Sequence, residues 1–282
     1  MFPVTVPDAS SQRASPSRRP TRKPPARLLL LGGTSEASTL ARLLADLDDL
    51  VVVTSLAGRT TTPSAQPGLM RVGGFGGVDG LAAYLRSEGI SLVVDATHPF
   101  AAVMRWHALD ACRIEGVPRL RVERPPWSPG PGDLWTSVAS MQAAAALVVR
   151  RQPEHVFLTI GRGELDVFTG AADGRRRWLI RSIEPPEPLT LAPARVVLDR
   201  GPFTEASEAE LMSANGIDLL VSKNSGGEAT AAKLAAARLL GVEVIMVERP
   251  SSPPGPAASS APEAARWVLQ ELVRRRLGHP AG

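Results

Sequence analysis

The stretch LLLLGGTSEASTLARLLA, residues 28–45, decides the architecture. Four consecutive leucines read as a strand buried on both faces, because a strand covered on one face only would alternate apolar and polar residues. Gly32 and Gly33 follow, and Thr34, Ser35 and Glu36 then open a helix whose inward stripe is Ala37, Leu40, Ala41, Leu44 and Leu47. The β-branched run LVVVTS at 50–55 supplies the next strand, so the chain starts with a βαβ unit.

The same alternation continues outward. VDGLAAYLRSEGI (78–90) reads as a helix closed by Gly89, SLVVDA (91–96) as a buried strand, the residues after Pro99 as a helix, and VPRLRVERP (117–125) as a strand. RPPWSPGPG (124–132) holds too much proline for a helix or a central strand and marks a linker. Beyond it the pattern predicts a helix at about 138–150, the strand HVFLTI (155–160), a turn at GRGEL (161–165), the strand RRWLIRSI (176–183), a strand at 195–198 and a helix at about 204–215. IDLLVSKNSGGEATAAKLAAARLLGVEVIMV (217–247) then repeats the opening design of strand, glycine turn, helix and strand, and Pro262 starts a closing helix. The expected fold is α/β, with two Rossmann-like domains of mostly parallel sheets and a cleft between them. Residues 27–124 form the first domain and 125–282 the second.

Composition narrows the function classes. The formal charge of the 282-residue chain is +4, but residues 1–27 carry Arg13, Arg18, Arg19, Arg22, Lys23 and Arg27 against Asp8 alone, so the body is close to neutral. A nucleic-acid partner is not expected. Residues 1–26, rich in Pro, Ser and Arg, read as a disordered basic tail, a solvated extension from an upstream start codon. No apolar run approaches the roughly 18 to 20 residues of a membrane span. A single cysteine, Cys112, excludes a disulfide framework and fits a cytoplasmic protein. The histidines at 98, 107, 155 and 279 lack metal-ligand spacing, so no metal is expected. Tyr84 is followed by LRSE, so a YxxxK arrangement is missing, and GxSxG and HExxH are missing too.

The chemistry-bearing residues cluster at strand ends. The turn at Gly32 and Gly33, with the helix start at Thr34, Ser35 and Glu36, presents backbone N–H groups to an anion. It departs from GxGxxG, with Thr34 and Ala37 in two of the glycine places. The end of the second strand, VVVTSLAGRT, has Ser55 and Arg59 where a carboxylate would hold the ribose of NADH, and a guanidinium there suits a 2′-phosphate; NADPH is the expected cofactor. Asp95, Thr97 and His98 end a buried strand ahead of Pro99; His98 has the pKa range of a proton donor, and a capping role at the helix start stands equally beside it. VSKNSGG brings Lys223 and Ser225 to a strand end in the second half, and TIGRGEL brings Arg162.

In their order and separations, LLLGGTSEA, TSLAGRT, VGGFGG (72–77), VVDATHPFA, TIGRGEL, GPF (201–203) and LLVSKNSGG resemble the precorrin-6A reductase family, which includes the cobalt-precorrin-6A reductases. The resemblance covers about residues 27–250. It implies NADPH-dependent reduction of a double bond in a tetrapyrrole macrocycle during cobalamin biosynthesis, with cofactor and macrocycle in the cleft. It also implies that Gly32, Gly33, Thr34, Ser35 and Glu36 hold the cofactor, with Ser55 and Arg59 near its 2′-phosphate. Thr97, His98, Arg162, Lys223 and Ser225 would line the cleft, with His98 and Lys223 as candidates for proton delivery. Two other readings stand beside it: an NADPH-dependent reductase of a small carbonyl substrate, and an NADPH-sensing module without turnover.

Overall fold

The computed structural model describes residues 24–58 and 65–277; Arg59 and residues 1–23 of the expected tail lie outside them. The first sheet contains β1 (Ala26–Leu31), β2 (Leu50–Leu56), β3 (Leu69–Val72), β4 (Leu92–Asp95), β5 (Arg119–Val122) and, from far along the chain, β12 (Ala257–Ala258). The second contains β6 (Trp135–Val138), β7 (His155–Thr159), β8 (Arg177–Ser182), β9 (Ala194–Leu198), β10 (Leu219–Lys223) and β11 (Glu243–Val247). Every strand pairing is parallel.

The strand order is β3-β2-β1-β4-β5-β12 in one sheet and β9-β8-β7-β10-β11-β6 in the other. Both are the doubly wound order, which reverses direction between β1 and β4 and between β7 and β10. The second sheet is one continuous run of the chain, β6 to β11, whereas the sixth position of the first sheet is filled by β12, which follows the whole second sheet. This corrects the expected domain limits, because residues 257–276 return to the first sheet: β12 pairs with β5, and the helix after it packs against the first helix of the chain.

Apolar layers cover both faces of both sheets. Leu28 and Leu30 point to α1 (Ser35–Leu43) and α7 (Ala261–Arg276), while Leu29 and Leu31 point to α2 (Gly77–Ser87) and α3 (Ala102–Glu115). This double burial is why β1 is leucine throughout. In the second half, Val156 and Leu158 face α4 (Met141–Arg151) and a 3-10 helix (Arg162–Ala171), and Phe157 faces the layer of α5 (Glu205–Ala214) and α6 (Ala232–Leu240). Two local expectations change. Strand β6 comes before the helix read from about 138, and GRGEL opens the 3-10 helix rather than a simple turn.

Helix starts follow the caps that the sequence offers. Thr34, Ser140 and Ser260 each accept a first-turn amide of α1, α4 and α7 with a side-chain oxygen. Ser140 and Ser260 cap the helices that follow β6 and β12, so the outermost strand of each sheet on that side leads into its own capped helix.

Candidate active site

In a doubly wound sheet, ligands lie at the carboxyl ends of the strands where the order reverses. In the first sheet that crevice lies between Gly32–Thr34 after β1 and Ala96–His98 after β4. Gly33 has φ +108, a backbone state that L side chains rarely adopt, and a Cβ added there would meet nothing within 4 Å. Its neighbour Gly32 is packed instead, with Leu56 and Thr54 both 3.2 Å from where a Cβ would be, and its amide donates to Ser55 O at 2.9 Å. The turn is therefore closed toward the sheet and open toward the crevice. Thr34 fixes it: its hydroxyl donates to Ala96 O at 2.7 Å and accepts from Ala37 N at 3.2 Å. The amides of Ser35 and Glu36 precede the first intrahelical bond and have no carbonyl one turn back to meet.

Across the crevice, the buried Asp95 carboxylate accepts from Thr97 N at 3.1 Å and from the Thr97 hydroxyl at 2.7 Å. Arg105, 1% exposed, lies behind it, with Nε 3.8 Å from Asp95 Oδ2. Thr97 is thus positioned rigidly. His98 Nδ1 accepts from Phe100 N at 3.2 Å, which puts the imidazole's proton on Nε2. Burial, followed by the charges of Arg124, Lys223 and Arg249, drives the His98 pKa down to about 3. The ring is neutral at any physiological pH. It ties down the turn ahead of α3 through Phe100 N, without capping the helix itself, whose N-cap is Ala101, and could donate only from a neutral N–H.

The second crevice lies between Gly161–Arg162 after β7 and Asn224–Gly227 after β10, and it faces the first. Phe100 joins the core of the second half, with its ring centroid 5.7 Å from the His98 ring and 5.3 Å from Lys223 Nζ. His98 and Lys223 are therefore brought together across the cleft with Phe100 between them. Lys223 is also ion-paired with Glu164. Arg162 pairs with Glu184 at 3.0 Å on the outer side of the same crevice, where its side chain is 43% exposed.

Gly226 and Gly227 do not repeat the role of Gly32 and Gly33, as the matching sequence pattern suggests. A Cβ on Gly226 would fall 2.1 Å from Pro125 O, and one on Gly227 would fall 2.9 Å from the Arg124 side chain. These glycines admit the crossing segment, and an anion has no cradle there. Ser225 follows suit: its carbonyl accepts from Arg124 Nε at 2.7 Å.

Arg124 was not legible as a site residue, since it stands at the edge of a proline-rich linker. Its Nη1 bonds the Glu36 carboxylate at 2.6 Å, so one guanidinium ties the first turn of α1 to Ser225. Burial opposes ionisation of Glu36, but this partner holds its pKa below the usual carboxylate range. Arg249 staples the crossing itself, donating to Asn224 O, Arg124 O and Pro125 O at 2.7, 2.8 and 3.1 Å. Asn224 adds a reciprocal pair of bonds with the Trp127 backbone. One signal marks these positions: the tetrapeptide VERP occurs at 122–125 and again at 247–250, once after each sheet's fifth strand.

Thr34, Glu36, Thr97 and Arg124 line one small cavity at this junction. A larger hollow of about 330 Å³, lined by Arg86, Gly89, Glu115, Gly116 and Arg275, opens at the opposite end of the first sheet, where the carbonyl ends of α2 and α3 point. Ligands of parallel sheets do not bind at that end. Among the described residues no cluster of His, Cys, Asp or Glu could hold a metal ion, and no helix is long and apolar enough to cross a membrane.

With this geometry in place, comparison with known proteins decides the family. The family model described as Precorrin-6x reductase CbiJ/CobK matches residues 27–269. The chain belongs to the precorrin-6x reductase family. It is 48% identical to a precorrin-6A reductase of Sinorhizobium sp over 249 residues, covering 88% of this chain and 94% of that one. It is 45% identical to a precorrin-6A reductase of Rhodococcus erythropolis, over 88% of this chain and 99% of the relative. Identity to a cobalt-precorrin-6A reductase of Priestia megaterium is 28%, over 86% of this chain and 98% of that one. A solved CobK precorrin-6A reductase superposes with a TM-score of 0.81 at 46% identity, over 87% of this chain and 96% of its own. This precorrin-6x reductase is accordingly an oxidoreductase of cobalamin biosynthesis, and its paired parallel sheets are those of the solved relative.

Proposed function

We propose that the chain reduces one double bond of precorrin-6A with NADPH bound along the first crevice, in the cytoplasm. One observation carries the cofactor part of this reading: Gly33, in a glycine-only conformation, leaves an open cradle where α1 begins and the strand order reverses. The higher identity to relatives named for precorrin-6A than to the one named for the cobalt form favours the metal-free macrocycle.

The residues present fit a dinucleotide. The amides around Gly33, Thr34 and Ser35 would hold its phosphates, Glu36 and Thr97 would flank it, and Ser55 stands at the ribose end. When bound, NADPH supplies a hydride equivalent to a carbon of the conjugated macrocycle. The chain aligns the two partners and stabilises charge. Thr97, locked by Asp95, sets one wall. Neutral His98 can offer an N–H but not an acidic imidazolium, so Lys223 is the cationic group placed to deliver a proton or balance charge. Arg162, at the rim, suits a macrocycle carboxylate.

Incubating the protein with NADPH and precorrin-6A while following both absorption spectra tests the reading. Loss of reduced nicotinamide in step with the change in the macrocycle spectrum is the expected result. Binding of NADPH with neither spectrum changing would leave the sensor alternative standing instead.

A further inference from the structure

The glycine-rich motif VGGFGG is part of neither crevice, yet it has a definite job: it wraps around Arg71. On β3, Arg71 lies opposite Ser55 in parallel register. Its Nη1 donates to Ser55 Oγ at 2.8 Å and to Gly73 O at 3.1 Å, and its Nη2 donates to Gly74 O at 3.0 Å. The guanidinium carbon sits 3.8 Å from the Phe75 ring centroid and 5.1 Å from that of Tyr84, and the two rings pack edge to face. Gly73, at φ +120, lets the chain curl so that successive carbonyls meet the guanidinium. Gly80 lets α2 close on Phe75, since a Cβ there would fall 1.8 Å from Phe75 O.

A long side chain normally loses much rotamer freedom on being held. Here the backbone and two aromatic rings have already fixed it, at the end of the second strand. The three bonds occupy both Nη1 donors and one on Nη2. The Nε–H and the second Nη2–H, which share the side edge of the guanidinium, have no partner among the described residues, and no carboxylate there pairs with Arg71. That edge is the fork that takes two oxygens of a phosphate. The end of the second strand is also where the adenosine ribose of a dinucleotide rests in this fold.

We infer that Arg71 recognises the ribose 2′-phosphate and sets the preference for NADPH over NADH. The inference rests on the dinucleotide reading of the Gly33 cradle. Ser55 then acts through Arg71, as the hydroxyl that orients it.

Titration of wild type, Arg71→Ala and Arg71→Lys with NADPH, NADH and adenosine 2′,5′-bisphosphate tests this. Arg71→Ala should lose NADPH affinity by about ten- to a hundredfold, as removal of a charge-assisted fork implies, and lose the bisphosphate similarly, while NADH affinity stays within about twofold. Arg71→Lys keeps the charge but not the fork, and should fall between wild type and Arg71→Ala for NADPH alone. An unchanged ratio of NADPH to NADH affinity in Arg71→Ala overturns the inference, as does an equal loss of both nucleotides. Should Arg71→Ala not fold, the same criteria apply to Arg71→Lys. Wild-type protein that binds neither nucleotide would instead defeat the cofactor reading, a result seen before any variant is made.

Discussion

Arg124 and Glu36 form an ion pair of 2.6 Å that joins the first turn of α1 to the segment crossing between the sheets. The carboxylate stands where the helix start would otherwise welcome an anion, and the guanidinium offsets it. Removing Arg124 leaves a half-buried negative charge beside the cradle. Arg124→Ala is expected to cost about 1–3 kcal/mol of stability and to weaken NADPH binding. Arg124→Ala combined with Glu36→Gln should recover part of both. Denaturant titrations and NADPH titrations of the four proteins check the cycle, and strictly additive losses would show that the two side chains do not act as a pair.

His98 gives a pH dependence of definite sign. Its folded pKa, near 3, lies below the unfolded value, so the folded state binds fewer protons as pH falls. The stability that neutral His98 contributes is complete above its ordinary value near 6.5 and is lost between there and about 3, at roughly 1.4 kcal/mol per pH unit in the middle of that window. His98→Asn should flatten this acid limb. Nitrogen NMR of the wild-type ring at pH 6 should show a neutral imidazole protonated at Nε2; an imidazolium signal there contradicts the assignment.

Glycine substitutions should separate the two glycine pairs. Gly33→Ala carries about 1–3 kcal/mol of backbone strain and should lower dinucleotide affinity at least tenfold. Gly226→Ala drives a methyl into Pro125 O and should destabilise the fold by about 3 kcal/mol or more. Gly227→Ala carries the backbone strain of a φ of +81 but meets only the flexible Arg124 side chain, and should be milder than Gly226→Ala. If Gly226→Ala melted like wild type, the tight crossing described above would be wrong.

Lys223→Met should leave NADPH affinity unchanged and cut kcat on precorrin-6A by about a hundred- to ten-thousandfold, the usual range for losing a general acid. Arg162→Ala should raise KM for the macrocycle with little change in kcat. Steady-state kinetics on the purified variants distinguishes the two patterns.

Much of this was legible because burial on two faces writes itself into β1, β4 and β10 as unbroken apolar runs. The glycines at 32 and 33 likewise announced an open turn. The returning strand was not legible: β12 is two residues long, and nothing local in Ala257–Ala258 states that its partner is β5. The same limit applies to the cleft. Thr97, His98 and Lys223 stand at strand ends and could be found by position, whereas Arg124 and Arg71 acquire their roles from partners far along the chain. Nor could the sequence pattern distinguish Gly226, which admits a neighbouring backbone, from Gly33, which faces open space.

The return of β12 to the first sheet has a practical corollary for anyone dissecting the enzyme. No single cut liberates the first sheet whole: a fragment ending at Glu123 would expose the flank of β5 as a sticky edge, inviting self-association. A chimera that splices residues 256–276 behind that point would restore the missing border and its helix, and is the shortest polypeptide on which the first sheet could stand alone.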